Sequence, residues 1–252
     1  MAAMHSLLLT GCILMATLPS FNVQATETPL RIATINLSPA GYKEDGLSKG
    51  LFYEIANAVA KEAGLSYKNT VKPYGRVLND LKSGKTDMSM LGFNPILEGK
   101  ASHTTPILEL RFMLVSQKGL NIQTIEGFSG KTIGVIRGAQ PLTSPIIKES
   151  KIITVTNFSQ GIKMLKAKRL DALAISDLGF YYTLIKQGLT RDDFGPSVAM
   201  SKDSAYMYFS NHFGDQHKIE QLNTALNTLK ENGGINQILR RYVGDGYFEN
   251  TK

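Results

Sequence analysis

Hydrophobic and polar positions along this chain switch repeatedly between two periods. Leu30–Asn36 (LRIATIN) is a short β-rich run. The segment GLFYEIANAVAKEAG then carries Leu51, Ile55 and Val59, and beside them Phe52, Ala56, Ala60 and Ala63, at helical spacing as far as Gly64. SYKNTVK predicts a second strand, GRVLNDLKSG a helix ended by Gly84, and TDMSML a buried strand. This βαβαβ order predicts an α/β sandwich with parallel strands. From Lys131 the order restarts. KTIGVI and KIITVT read as strands flanking a helix at PLTSPIIKES. A helix with Phe158, Ile162 and Leu165 inward, the strand DALAI and the helix LGFYYTLIKQG follow. After AYMYFS the chain closes with two helices. Asp215 caps the first, Ile219, Leu222, Leu226 and Leu229 form its apolar stripe, and Gly233-Gly234 separates it from INQILRRYV. The pattern gives two α/β units rather than one long sheet.

One station occurs in both units. LKSGKTDMSML (Leu81–Leu91) is echoed by LKAKRLDALAI (Leu165–Ile175), each with a helix end, a Lys-rich turn, an Asp and a buried strand. Asp87 and Asp171 stand where the chain enters the strand, and side chain–backbone bonds that fix the turn explain them better than catalysis. Gly84-Lys85-Thr86 does not make a phosphate-binding loop. The required Gly five residues earlier is Asn79, and the triplet precedes a strand instead of opening a helix. Gly130-Lys131-Thr132 fails in the same way, with Ile125 at that position. His103, His212 and His217 have no metal-ligand spacing, and GFSG at Gly127–Gly130 lacks the second Gly of a nucleophile elbow. Neither a metal nor a cofactor is implied.

The N-terminal run SLLLTGCILMATLPSF, closing on Val23-Gln24-Ala25 before polar TETP, reads as an export signal cleaved after Ala25. No Lys or Arg precedes the run, which leaves the true start codon open. Leu9-Thr10-Gly11-Cys12 resembles a lipoprotein box, but the apolar run continues past it, and ordinary export is the preferred reading. Cys12 is the sole cysteine, so the mature chain has no disulfide, thiol nucleophile or Cys-ligated metal. The formal charge of +7 is spread along the chain. Its densest group (Lys163, Lys166, Lys168, Arg169) reads as a solvated helix face, not a nucleic-acid surface.

Five stretches in order carry a resemblance. They are Pro39 with EDGLSKGLFYEIANAVAKEAGL, PYGRVLNDLKSGKTDMSM, FSGKTIGVIRGAQ, GIKMLKAKRLDALAISD and LNTALNTLKENGGINQILRRYVGD. Together they resemble the periplasmic solute-binding proteins of ABC transporters, of the polar amino-acid-binding type. The resemblance implies a type II periplasmic binding protein fold, with two α/β lobes joined by two crossing strands near Leu110–Ser116 and Ala205–Ser210. Lobe 1 would comprise residues 26–112 and 205–252, and an inserted lobe 2 residues 113–204. It also implies a monomer in the periplasm that closes over a small polar ligand and presents it to an inner-membrane ABC permease.

The resemblance carries residues with it. Asp177, after the second repeat's strand, takes the place of the carboxylate that binds the ligand's ammonium; as an alternative it caps the helix from Leu178. Tyr74 stands where an aromatic packs on the ligand, and Tyr42 is a further candidate of that kind. Two anion contacts of the pattern are missing: the Arg position holds Leu97, and the Ser/Thr position after Gly138 holds Ala139. Arg76 is the first choice of substitute, before Arg111 and Arg137, with Asn94 and Gln140 as neutral partners. Two other functions stay open: a ligand sensor feeding a receptor, and an enzyme such as a dehydratase on the same scaffold, for which Glu109 is the suggestive acid.

Overall fold

The computed structural model describes residues 28–137 and 149–249. The expected leader with Cys12, residues Gly138, Ala139 and Gln140, and most of the expected helix at PLTSPIIKES lie outside them. In the first packed body, β1 (Leu30–Ile35) lies between β4 (Tyr67–Lys72) and β5 (Met88–Gly92), all parallel. Helix α1 (Leu51–Glu62) buries the predicted stripe of Leu51, Phe52, Ile55, Ala56, Val59 and Ala60. Helix α2 (Tyr74–Lys82) buries Val77, Leu78 and Leu81. A hairpin of β2 (Tyr42–Glu44) and β3 (Leu47–Lys49) precedes α1; strands of three residues are too short to show a period.

The second body has parallel strands β8 (Thr132–Ile136), β9 (Lys151–Val155) and β10 (Ala172–Ser176), with helices α3 (Phe158–Lys166) and α4 (Asp177–Gln187). The chain then returns to the first body. There α5 (Gln216–Glu231) starts at Asp215, whose Oδ1 accepts the Lys218 N–H at 3.1 Å. Helix α6 (Gly234–Glu249) is broken at Gly244, where φ is 65° and a side chain would be strained.

Two long antiparallel strands, β7 (Leu108–Gln117) and β11 (Phe194–Ser210), connect the bodies. They make the hydrogen bonding continuous in the order β4-β1-β5-β11-β7-β10-β8-β9, with β6 (Ala101–His103) paired to β11. This corrects the expectation of separate sheets. The cores do remain separate: one holds Ile32, Leu51, Ile55, Met90 and Leu226, the other Val155, Ile162, Leu165, Leu173 and Phe180. The first half of β11 gives no sequence signal because most of its positions between Gly195 and Ser204 are only partly buried or exposed.

The repeated station performs one task in each body. Asp87 accepts the Arg31 N–H at 2.8 Å and pairs with the Arg31 guanidinium, tying β5 to the start of β1. Asp171 accepts the Thr132 N–H at 2.9 Å and the Gln117 amide at 3.1 Å, tying β10 to the start of β8. Both are structural, as expected, but they tie neighbouring strands and do not fix their own turns. Helix α4 is apolar on two sides: Leu178 and Tyr182 belong to the first core, Phe180 and Leu184 to the second. Its first two turns are buried between the two bodies and bridge them, while Ile185 and Lys186 near its end are exposed.

Candidate functional site

In open α/β sheets, ligands lie outside the carboxyl ends of parallel strands. Here β5 and β10 run in opposite directions, on either side of the crossing strands, and both end at the middle of the β7–β11 ladder. At that level Leu110 stands opposite Asp203 and Arg111 opposite Lys202, while Ser176 at the end of β10 stands opposite Phe112. On the other side, the Phe93 N–H donates to the Ser204 carbonyl at 3.1 Å just past β5. The floor of the junction is therefore two strands wide, with Glu109, Arg111 and Lys202 on one face of the ladder and Asp203, beside Leu110, on the other.

Asp177 is 3 % exposed at the first turn of α4. The cap of that helix is Ser176, whose Oγ accepts the Gly179 N–H at 3.1 Å, so the capping alternative for Asp177 falls to its neighbour. The Asp177 carboxylate accepts instead from the Leu178 N–H at 2.7 Å, the Arg111 N–H at 3.3 Å and the Arg111 Nε at 3.0 Å. Burial pushes the Asp177 carboxyl up, and the Arg111 and backbone donors only partly offset it. Burial opposes the Arg111 charge, but its bonds to Asp177 and Tyr247 prevail and raise it. Tyr247 of α6 completes the group: its ring lies 5.8 Å from the Arg111 guanidinium carbon, and burial pushes its phenol up to about 12.

A second group closes the end of β5. Asn94 is buried and caps a single 3-10 turn, Pro95–Leu97, with its Oδ1 accepting the Ile96 N–H at 3.0 Å. Its Nδ2 donates to the Tyr74 hydroxyl at 2.6 Å, and its backbone N–H donates to the Tyr208 hydroxyl at 3.1 Å. Tyr74 and Asn94, expected separately from sequence, are thus one unit. Burial raises the Tyr74 phenol, and the nearby Asp203 charge adds to the shift. Phe93 is 55 % exposed beside this unit and meets Tyr206 edge-on at 6.5 Å.

The other expected residues fall elsewhere. Arg76 is exposed on α2, and Arg137 is exposed at the end of β8, its N–H bonded to the Val155 carbonyl at 2.9 Å. Of the three arginines, only Arg111 meets Asp177. Leu97 has no exposed surface and packs in the first core. Tyr42 joins a different group, with ring centroids 6.0 Å from Tyr182, at a crevice of about 280 Å³ whose Glu44 is paired with Lys49 at 2.8 Å and Lys186 at 3.6 Å. A larger depression of about 390 Å³ between α1 and α5 contains none of these residues. Glu109 is ion-paired with Arg111 at 3.5 Å and Lys202 at 3.6 Å. Sequence reasoning missed Asp203, Phe93, Tyr208, Tyr247 and Leu37, the last of which packs against both cores. The alternation in AYMYFS marked Tyr208 as strand, but nothing local ties it to Asn94. Among the described residues no His/Cys/Asp/Glu group has the makings of a metal site, and no helix is long and apolar enough to cross a membrane.

Two bodies joined by two crossing strands, with a polar junction at the strand ends, define a two-lobed binding-protein fold. Residues 30–245 match the model of the bacterial extracellular solute-binding proteins, family 3, and the chain belongs to that family. It is 24 % identical to the arginine-binding extracellular protein ArtP of Bacillus subtilis, over 81 % of each chain. It is 23 % identical to the arginine-binding periplasmic protein of Mannheimia haemolytica, over 94 % of this chain and 96 % of that one. An ancestral arginine-binding protein solved with arginine shares the fold with a TM-score of 0.67 at 21 % identity, over 86 % of this chain and 98 % of the other.

Proposed function

We propose that this protein captures an amino acid or a related small polar solute at the junction of its lobes and delivers it to an inner-membrane ABC permease from the periplasm. The observation that carries the reading is the convergence of the β5 and β10 ends on the crossing strands, in a chain of an extracellular solute-binding family. The lobes are taken as residues 26–112 with 205–252, and 113–204, following a leader cleaved after Ala25. Tyr74 and Asn94 form one wall. Asp177 meets the ligand's ammonium, and Arg111, already beside it, supplies the carboxylate contact absent at Leu97. A zwitterion would then replace an internal ion pair with two pairs of the same kind, so the charges stay matched throughout. Binding without turnover fits the engagement of Glu109 in two ion pairs.

The test is mass spectrometry of solute carried through purification, followed by thermal shifts with amino acids, polyamines and organic acids. A ligand at a hundred times its Kd stabilises by about 2.7 kcal/mol. Asp177→Asn, which keeps an acceptor for the Leu178 N–H, should abolish the shift and leave the ligand-free protein folded. An undiminished shift removes Asp177 from the site. A protein that no small solute stabilises removes the function.

A further inference from the structure

We propose that Asp203 is the counter-charge for a cationic group of the captured solute, an ammonium or guanidinium held at the carboxyl end of β5 beside Tyr74. The proposal builds on the solute-binding reading above and specifies which chemistry one wall of the site selects.

Asp203 is half-buried on β11, opposite Leu110 of β7, at the floor of the junction. Its Oδ1 accepts the Ser204 N–H at 2.7 Å. Its Oδ2 lies over Gly92, 3.4 Å from where a Cβ on that glycine would stand, so the absence of a side chain on Gly92 leaves this oxygen uncovered. Among the described residues no Lys, Arg or His pairs with it. The nearest basic residues along the ladder are committed elsewhere, Lys202 to Glu109 and Arg111 to Asp177 and Glu109. Every other carboxylate at the junction has a cation; Asp203 has none.

The surroundings suit a cation. The Asp203 charge reaches the phenols of both Tyr74 and Tyr208, where it adds to the upward push of burial. These two hydroxyls are bridged by Asn94. Phe93, Tyr206 and Tyr208 form an edge-on array at 6.5 and 6.2 Å between centroids on the opposite face of β11, so Tyr74 is the ring that shares the Asp203 side. Aromatic faces beside a carboxylate attract ammonium and guanidinium groups, and more strongly where water is partly excluded. A neutral solute would leave the carboxylate half-buried and unpaired, which is the costly arrangement.

Calorimetric titration of the full chain with L-arginine and with L-citrulline tests this, since citrulline replaces the guanidinium by a neutral ureido group of nearly the same shape. The wild type should prefer arginine by about 10- to 100-fold. Asp203→Asn, which keeps the acceptor for the Ser204 N–H, should bring the arginine and citrulline affinities together, lowering the first and raising the second, and leave the ligand-free melting temperature unchanged. A variant that keeps the wild-type preference overturns the proposal, as does a wild type that binds the two equally. Capture of a neutral or acidic solute only would overturn it while leaving the solute-binding reading intact. Failure to bind any solute would overturn both.

Discussion

At the scale of single residues, the junction is governed by which charges already have partners. Asp177 and Arg111 satisfy each other, and the carboxyl of Asp177 is nonetheless raised because burial outweighs the pair's attraction. Its folded pKa lies above the unfolded value of about 3.9, so the folded state keeps the proton longer. The stability this group contributes is present below that value and is lost as pH rises through the folded pKa. Capture of an ammonium needs the ionised form. Affinity should therefore rise with pH across the same window, and that share of the rise should be missing in Asp177→Asn. Titrations upward from the unfolded value of about 3.9 read it directly. Leu97 shows the limit of reading residues by position in a motif: it is fully buried in the first core and offers no polar contact.

At the scale of elements, α4 and α6 hold the lobes together behind the crossing strands. Tyr247 of α6 is buried, meets Tyr181 of α4 edge-on at 5.8 Å and covers Arg111. Tyr247→Ala should cost about 3–5 kcal/mol in denaturant unfolding, the usual cost of removing a buried aromatic. Tyr247→Phe should recover most of that stability, because it keeps the packing, while binding still changes through the lost hydroxyl contact to Arg111. Equal losses in both variants would assign the stability to the hydroxyl. The predicted helices were read well because their stripes are continuous, as in Leu51, Ile55 and Val59. The hairpin β2–β3 and the first half of β11 were not, since one is too short for a period and the other is stabilised by its pairing with β7.

At the scale of the molecule, one continuous sheet carries one core in the first body and two in the second, the smaller built on Leu114, Phe128 and Ile133, and only β7 and β11 link the bodies as strands. Opening the lobes would bend these two strands and also part α4 from one of the cores it shares, Leu178 and Tyr182 from the first or Phe180 and Leu184 from the second. Addition of a saturating ligand should narrow the distribution of particle sizes in small-angle X-ray scattering and lower the radius of gyration. An unchanged profile with a bound ligand would argue for a rigid site. Register shifts in β11, between Phe194 and Ser197 and between Ala199 and Ser201, lie in the half that pairs with β7 alone.

The sequence by itself determined the elements and the doubled α/β order, because helical stripes and buried strands are local properties; the Asp87 and Asp171 ties, 56 and 39 residues long, belong to the tertiary structure. It also marked Asp177, Tyr74 and Asn94, each as a single position in a motif. Only the tertiary structure decided which charges pair. Arg111 and Asp177 are 66 residues apart, and Asn94 and Tyr208 are 114 apart. Arg111 meets Asp177 because β7 pairs with β10, and Asn94 meets Tyr208 because β11 pairs with β5. No local pattern records those pairings, because the paired strands are far apart along the chain.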